Sequence, residues 1–158
     1  MIKTICVWGE RCSGTNFLKT LLQLNFESVT VMDGDGPHWK HGYPDTWSDP
    51  QTTVHIWITR DIASWLTSLH RRPYHYQKTR TFIKFLHNPL QHIPEETNNQ
   101  VKDPRDANIT PIQLRYRKYK AHRVFWNRVP HICHVHMKWL QCASNDRRLI
   151  QQFVSTYH

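Results

Sequence analysis

The sequence predicts an α/β protein whose mostly parallel sheet is flanked by helices in three layers. The first observation is that short apolar, β-branched runs typical of buried strands alternate with stretches of helical periodicity. The second is that two of these runs lead directly into a helix, as parallel βα units do. The third is that neither an internal repeat nor a linker divides the 158 residues. We therefore expect a single domain spanning residues 1–158.

Four strands are expected, at Ile5–Trp8, Ser28–Met32, Thr53–Thr59 and His131–Met137. A helix at about Thr15–Leu24 follows the first strand, and a second helix follows Thr59 and stops at Arg72-Pro73. Three further helices are expected: a short one at Phe82–His87, a basic one from the Thr110-Pro111 cap to about Asn127, and a last one capped by Ser144. Residues 33–51 and 88–109 are predicted to be loops, the second of them mobile.

A small polar loop, Gly9-Glu-Arg-Cys-Ser-Gly-Thr-Asn16, joins the first strand to the first helix. This order presents free backbone N–H groups at a helix N-terminus, which favours a bound phosphate or sulfate. Gly9 and Gly14 have the spacing of a P-loop, but Thr15 and Asn16 stand where its Lys and Ser/Thr would be. Those two residues contact the β/γ-phosphates and Mg²⁺, so the loop favours an anion without a metal.

Composition supports an anionic ligand without choosing one. The formal charge is +9 and the pI is near 9.7, which favours nucleotides, nucleic acid or acidic glycans. Four cysteines are too few for a disulfide scaffold, and no signal-peptide or membrane-spanning run is present in the sequence. We therefore expect a cytoplasmic protein that does not bind membranes.

A second motif, Arg60 to Ser68, begins where the Thr53–Thr59 strand ends. Ser68 lies about two helical turns beyond Arg60, so the hydroxyl and the guanidinium can converge on one phosphate. Ligands of parallel sheets bind beyond the carboxyl ends of the strands. Arg60 and the Gly9–Asn16 loop are therefore expected to share one crevice, although each residue taken alone could be an ordinary surface residue.

Together these two motifs resemble the PAPS-dependent sulfotransferase family (PAPS is 3′-phosphoadenosine 5′-phosphosulfate). Residues 9–16 look like its 5′-phosphosulfate loop, and Thr59-Arg60 through Ser68, continuing to Arg72-Pro-Tyr-His75, looks like its 3′-phosphate motif. The resemblance covers residues 3 to about 76 and echoes weakly beyond them. It implies a P-loop NTPase-like fold and transfer of a sulfuryl group from PAPS to a hydroxyl or amine, leaving PAP (the desulfated cofactor), without a metal.

The resemblance also implies roles for residues. Gly9, Arg11, Cys12, Ser13, Gly14, Thr15, Asn16, Arg60 and Ser68 would bind the cofactor. Cys12 stands where many family members have Lys, so Arg11 is expected to supply the charge there. The general base is predicted to be His41, or else Glu10, with Lys40 as an electrostatic partner.

Three other patterns in the sequence are weaker indications of function: the histidines and cysteine of the last strand, Cys12, and the basic helix. His131 and Cys133 should face opposite to His134 and His136 on a strand, which disfavours a metal site. Cys12 lacks the Arg six residues later that a phosphatase nucleophile needs, since Leu18 is there. The basic helix is expected to bury its aromatic stripe and solvate its charges, with Arg115 or Arg117 able to reach the cofactor.

The acceptor is expected to be a small molecule or glycan, and nucleic acid is an unfavoured partner. Two alternatives remain: a nucleotide-binding module without catalysis, and a basic nucleic-acid-binding protein.

Overall fold

The computed structural model describes residues 1–35, 38–44, 51–91, 106, 108–129 and 131–143. The strands are β1 (Thr4–Gly9), β2 (Thr30–Asp35), β3 (His38–Trp39), β4 (Thr53–Thr59) and β5 (Ile132–His136). The helices are α1 (Thr15–Asn25), α2 (Ile62–Arg71), α3 (Phe82–His87), α4 (Pro111–Trp126) and α5 (Met137–Ala143). The predicted α/β class is confirmed.

The sheet has the order β3-β2-β1-β4-β5. β1 pairs in parallel with both β2 and β4, β4 pairs in parallel with β5, and the two-residue β3 runs antiparallel to β2 at the edge. The chain passes from β1 to β2 on one side and then crosses to β4 on the other side. The strand order therefore reverses between β1 and β4, which is where a doubly wound sheet opens a crevice for ligand.

Helices cover both faces of the sheet, because the side chains of each strand alternate between two cores. One core packs Val7 of β1 and Ile58 of β4 against Leu18 of α1 and Leu140 of α5. The other face carries Trp8 and Trp57, with Trp126 of α4 against them. A third cluster joins α2, α3 and α4 around the buried Trp65. The result is the expected three-layer arrangement.

Two sequence predictions need correction around β2. The strand was expected at 28–32 with a loop from residue 33, but it runs from Thr30 to Asp35 and turns back into β3. Gly34 pairs with Trp39 in the antiparallel ladder and takes a φ of 84°, a conformation that glycine adopts without strain. The polar composition of this hairpin is typical of a loop, so the sequence predicts a loop from residue 33 where the structure has strand.

The end of the chain differs in a similar way. β5 ends at His136 rather than Met137, and α5 begins at Met137, within the range predicted as strand. The helix expected after Ser144 lies outside the described residues, as does most of the predicted loop 88–109. The two ends of the segment predicted as the loop 88–109 lie together, because the Leu90 N–H donates to the Ile109 carbonyl at 2.9 Å. In the described part of the chain, no helix has the length and apolar character that crossing a bilayer requires.

Candidate anion-binding site

The loop between β1 and α1 has the backbone geometry of an anion cradle. Cys12 (φ 62°) and Gly14 (φ 99°) both take left-handed conformations, on either side of the fully buried Ser13. Alternating backbone signs of this kind turn successive N–H groups towards one concavity. Gly14 is the N-cap of α1 and no side chain caps that end, so the first-turn N–H groups remain available.

Glycine is required at both ends of this loop. A Cβ at Gly9 would lie 2.6 Å from Ser13 Oγ and 2.7 Å from the Ile58 carbonyl oxygen. A Cβ at Gly14 would lie 2.5 Å from Met137 Sδ, in addition to the strain of its positive φ. Met137 of α5 therefore packs directly on the loop.

The segment 40–42 holds the loop from the neighbouring hairpin. The Gly9 N–H donates to the Lys40 carbonyl at 3.0 Å, and His41 Nδ1 lies 2.6 Å from the Gly9 carbonyl oxygen. Behind this segment, Lys118 Nζ donates to the His41 carbonyl and His122 Nε2 lies 3.4 Å from the Gly42 carbonyl oxygen. The loop is thus connected through 40–42 to α4.

Lys40 also reaches the start of α1. Its Nζ donates to Asn16 Oδ1 at 2.6 Å and to Asp33 Oδ1 at 3.1 Å, while Lys19 Nζ donates to the other Asp33 oxygen at 2.9 Å. Hydrogen bonds and charge from the two lysines lower the pKa of Asp33, outweighing its partial burial. A lysine from outside the loop therefore lies beside the helix terminus, where a P-loop would carry its own lysine.

Arg60 and Ser68 meet the loop at Cys12. Arg60 donates to the Cys12 carbonyl at 3.4 Å, and the Cys12 sulfur interacts with the Ser68 hydroxyl and with the Arg72 carbonyl at 3.8 Å. Burial raises the pKa of Cys12, although Ser68 and three nearby arginines oppose this, so the thiol is the stable form. The predicted proximity of the two motifs is borne out by these contacts.

A cavity of about 540 Å³ lies along α2 next to this junction. It is lined by Arg60, Ala63, Ser64, Thr67, Ser68, Arg71, Arg72 and Tyr74. Three guanidinium groups and three hydroxyls of Ser and Thr make it suited to a phosphate. Asp61 caps α2 by accepting from the Ser64 N–H at 2.8 Å.

Glu10 is buried below the loop, with 3% of its surface exposed. Arg115 Nε lies 3.7 Å from Glu10 Oε2, but neither carboxyl oxygen has a hydrogen-bond partner among the described residues. Burial raises the pKa of Glu10 to about 7, against the opposing charges of Arg115 and Lys118. Arg115 also donates to the Arg60 carbonyl and so connects Glu10 to the second motif.

His41, the first candidate for the base, is buried and bonded to Gly9. Burial, together with the charges of Arg11, Lys118 and Lys40, lowers its pKa to about 3, against the opposing effect of the hydrogen bond to Gly9. The ring is therefore neutral at pH 7, and its Nδ1–H donates to the Gly9 carbonyl. This contact positions the loop. The pKa of Glu10, at about 7, is nearer to neutrality than that of His41, and the identity of a base stays a prediction.

Arg11, expected to supply charge to the ligand, is 7% exposed and lies against the Tyr76 ring at 5.3 Å. Burial lowers its pKa, while Tyr76 and Asp106 favour the charged form. Its backbone carbonyl accepts a hydrogen bond from Trp65 Nε1 at 2.7 Å, which fixes the loop to α2. Arg11 therefore contributes to loop attachment, and its contact with a ligand stays a prediction.

Lys118 is the least expected charged group near the site, because it is fully buried on a helix predicted to solvate its charges. Its Nζ lies 3.2 Å from Asp106 Oδ2, and Asp106 Oδ1 accepts from the Tyr43 hydroxyl at 2.7 Å. Burial lowers the pKa of Lys118, with Asp106 opposing. The sequence does not indicate the pairing of Lys118 with Asp106, since Asp106 lies in the predicted loop 88–109.

One buried cluster outside the site, Cys6, Asp35 and His55, brings together metal-ligand atoms. Trp8 Nε1 donates to His55 Nδ1 at 3.0 Å, so the neutral ring carries its proton on Nε2, which lies 3.8 Å from Asp35 Oδ2. A protonated Nε2 cannot ligate a metal. On β5, Cys133 joins one core while His134 contacts Thr59 on the opposite face, as the strand alternation predicts.

Arg71, Thr67 and Ser64 are cavity residues that the motif comparison missed. Their spacing from Arg60 places them on successive turns along one face of α2, so helical periodicity could have identified them.

No protein-family model, curated protein or solved structure matches the chain.

Proposed function

We propose that this protein transfers a sulfuryl group from PAPS to a hydroxyl or amine acceptor. The observation that carries the proposal is the meeting of two anion-binding elements at the β1/β4 switch point, joined through Cys12. The Gly9–Asn16 cradle suits the 5′-phosphosulfate, and the arginine-lined cavity on α2 suits the 3′-phosphate. Both sites rely on backbone N–H groups, hydroxyls and cations, which bind such a cofactor without a metal.

Lys40 is assigned the cationic role that the loop itself lacks at Cys12. Its contact with Asn16 places an ammonium group at the α1 N-terminus, where charge develops on the bridging oxygen as the sulfuryl group leaves. Arg60 and Ser68 hold the 3′-phosphate. The N–H groups of residues 14–16 hold the sulfate end, because the Ser13 N–H already donates to the Glu10 carbonyl at 3.1 Å. His41 keeps Gly9, and therefore the loop, in position.

Glu10 is assigned the general base. In the transfer, the acceptor oxygen or nitrogen attacks sulfur, the bond from sulfur to the phosphate oxygen breaks, and PAP leaves with that electron pair. The acceptor proton passes to the Glu10 carboxylate, whose pKa is raised by burial to about 7. Cys6, Cys12 and Cys133 are free thiols, which is usual in a reducing compartment, so we place the reaction in the cytoplasm.

Isothermal titration with PAP, compared with ATP–Mg²⁺, tests the cofactor assignment. PAP should bind without metal, and Arg60→Ala and Ser68→Ala should each weaken it, Arg60→Ala by about 10- to 100-fold because a hydrogen bond from a charged group is lost. Arg80→Ala removes an exposed arginine outside the cavity and should leave the affinity unchanged. Preference for ATP–Mg²⁺ would contradict the proposal.

Transfer of labelled sulfate from PAPS across an acceptor panel separates an enzyme from a module that only binds nucleotide. Glu10→Gln should lower turnover by about 10²- to 10⁴-fold with PAP affinity retained. Lys40→Met should lower turnover, while Lys19→Met is the matched control, because both lysines bond Asp33 and Lys40 also contacts Asn16. Tight PAP binding with no transfer to any acceptor would favour the binding module.

A further inference from the structure

Helix α4 differs from the sequence prediction in which of its side chains turn inwards. Tyr116 and Tyr119 are 65% and 45% exposed rather than buried, whereas the Arg115 side chain has only 18% of its surface exposed. Arg115 Nη2 donates to the Arg60 carbonyl, and Arg115 Nε lies 3.7 Å from Glu10 Oε2. One cation of α4 therefore contacts both the carboxyl below the anion-binding loop and the first residue of the second motif.

An aromatic ring helps to hold this guanidinium in place. Arg115 Cζ lies 5.0 Å from the centroid of the Trp65 ring, an arrangement in which the ring and the cation attract each other. Trp65 Nε1 in turn donates to the Arg11 carbonyl at 2.7 Å, so the same indole also holds the loop. The orientation of Arg115 is thus tied to the loop as well as to Arg60.

The contact between Arg115 and Glu10 is loose on both sides. Their separation of 3.7 Å exceeds the roughly 2.7–2.9 Å of a charge-assisted hydrogen bond. Both Glu10 carboxyl oxygens and Arg115 Nη1 are buried, and none of these atoms has a hydrogen-bond partner among the described residues. The guanidinium therefore has a donor left for a second anion, and its attraction to the Glu10 carboxylate can be weakened.

The other charged or titratable groups around Glu10 and its loop are Lys118, Lys40, His41, Arg11, Cys12 and Asp106. Each of the two lysines pairs with a carboxylate, at 3.2 Å and 3.1 Å. The histidine is neutral at pH 7 because burial lowers its pKa to about 3, and burial keeps the cysteine as a thiol. The arginine lies against the Tyr76 ring. Arg115, by contrast, joins Glu10 to the second motif through direct contacts on both sides.

We propose that Arg115 is a positioning residue that couples Glu10 to the second motif, so that an anion bound at Arg60 makes Glu10 take up a proton from water. The physical reason is competition for one cation in a poorly solvated interior. An anion attracted to Arg60 and Arg115 offsets the charge that stabilises the Glu10 carboxylate. The coupling rests on the proposed function for the identity of the anion and for the role of Glu10. In turnover, the proton that Glu10 receives from the acceptor returns to water when PAP leaves, which resets the base.

Carbon-13 NMR of protein labelled at the glutamate carboxyl carbons measures the protonation of Glu10, because the sequence has four glutamates and Glu10→Gln identifies its signal. With saturating PAP, the titration midpoint of Glu10 should rise by about one pH unit. This is a tenfold change in proton affinity, which is about the size of a typical coupling between linked sites. Inorganic sulfate, which stays a dianion throughout the titration, should raise the midpoint in the same direction.

Three variants test whether the effect passes through Arg115. Arg115→Gln keeps a donor for the Arg60 carbonyl but carries no charge, so it should reduce the anion-induced change in proton affinity to less than about threefold. Arg115→Lys keeps the charge and should retain most of the change. Lys120→Met removes an exposed cation of the same helix and is the control, in which the midpoint should rise as in the unchanged protein.

The pH dependence of sulfate binding to the unchanged protein gives a second readout that needs no Arg115 variant to fold. Because coupling is reciprocal, protonated Glu10 should favour the bound anion. Between pH 6 and pH 9, sulfate affinity should fall about eightfold more in the unchanged protein than in Glu10→Gln, for a tenfold coupling. Other groups that titrate in this range are common to both proteins and cancel in the comparison.

A midpoint that does not move when an anion is bound would overturn the coupling. An equal rise in Arg115→Gln and in the unchanged protein would overturn the role of Arg115. The cofactor assignment fails separately, since a rise with sulfate and no binding of PAP would contradict PAPS as the cofactor and support the coupling. Absence of binding by both anions would overturn both proposals.

Discussion

Replacing Glu10 by Gln should stabilise the protein at alkaline pH, although it removes the proposed base. The folded-state pKa of Glu10 is raised by burial from 4.5 to about 7. The folded protein therefore binds this proton more tightly than the unfolded chain does, and its stability falls as the pH rises from about 4.5 to 7. Above pH 7 the ionised carboxylate carries its full burial cost, whereas a neutral amide carries none of it.

The size of the effect follows from the same pKa values. A rise from 4.5 to about 7 corresponds to at most about 3 kcal/mol of free energy. The difference in unfolding free energy between Glu10→Gln and the unchanged protein should therefore grow by up to about 3 kcal/mol between pH 4.5 and 8.5. Groups common to both proteins cancel in this difference.

Urea unfolding at pH values between 4.5 and 8.5, followed by circular dichroism, measures this difference in unfolding free energy between Glu10→Gln and the unchanged protein. Glu27→Gln is the control, because the Glu27 side chain is exposed and its carboxyl is in water in both states. That control should give a flat difference. A flat difference for Glu10→Gln would refute the buried, near-neutral carboxyl and, with it, the choice of base.

Three further changes test the structure around the site. Gly14→Ala should lower the unfolding free energy by about 1–3 kcal/mol in urea unfolding, because of the φ of 99° and the close contact of the new Cβ with Met137. Adding Met137→Ala should recover only the part of this loss that comes from the close contact. Lys118→Met should cost about 3–5 kcal/mol by the same measurement, because the buried Asp106 carboxylate loses its lysine and keeps only the Tyr43 hydroxyl as a hydrogen-bond partner. An added Asp106→Asn should restore part of this loss, and no restoration would contradict the pairing. Thr110→Ala removes the capping box formed with Gln113 and should lower the unfolding free energy by about 1 kcal/mol, whereas a Gln113→Glu change, which keeps the box, should be close to neutral.

Much of the fold could be predicted because its strands and helices are signalled locally. The β4 run and the Thr110-Pro111 cap fall where the pattern places them, and the crevice follows from strand order alone. The β2–β3 hairpin could not be predicted in this way, because its polar residues form a strand through pairing and not through their own propensity.

The meeting of the two motifs could be predicted, but the residues that support it could not. The Gly9–Asn16 loop comes together with Arg60 and Ser68 because the two motifs lie at neighbouring strand ends. The contact of Lys40 with Asn16 and the burial of Lys118 depend on tertiary packing, which no local pattern encodes. The low pKa of His41 has the same origin, since burial in the folded protein is its largest cause.

The connection of the loop through 40–42 to α4 has a consequence for the order of folding. The hydrogen bond from Lys118 to His41 spans 77 residues, and that from His122 to Gly42 spans 80. Long-range contacts of this kind form late, after the entropy of closing the intervening chain has been lost. The anion cradle should therefore be among the last parts to become ordered, and a fragment of residues 1–76, which holds both motifs, should not reproduce it.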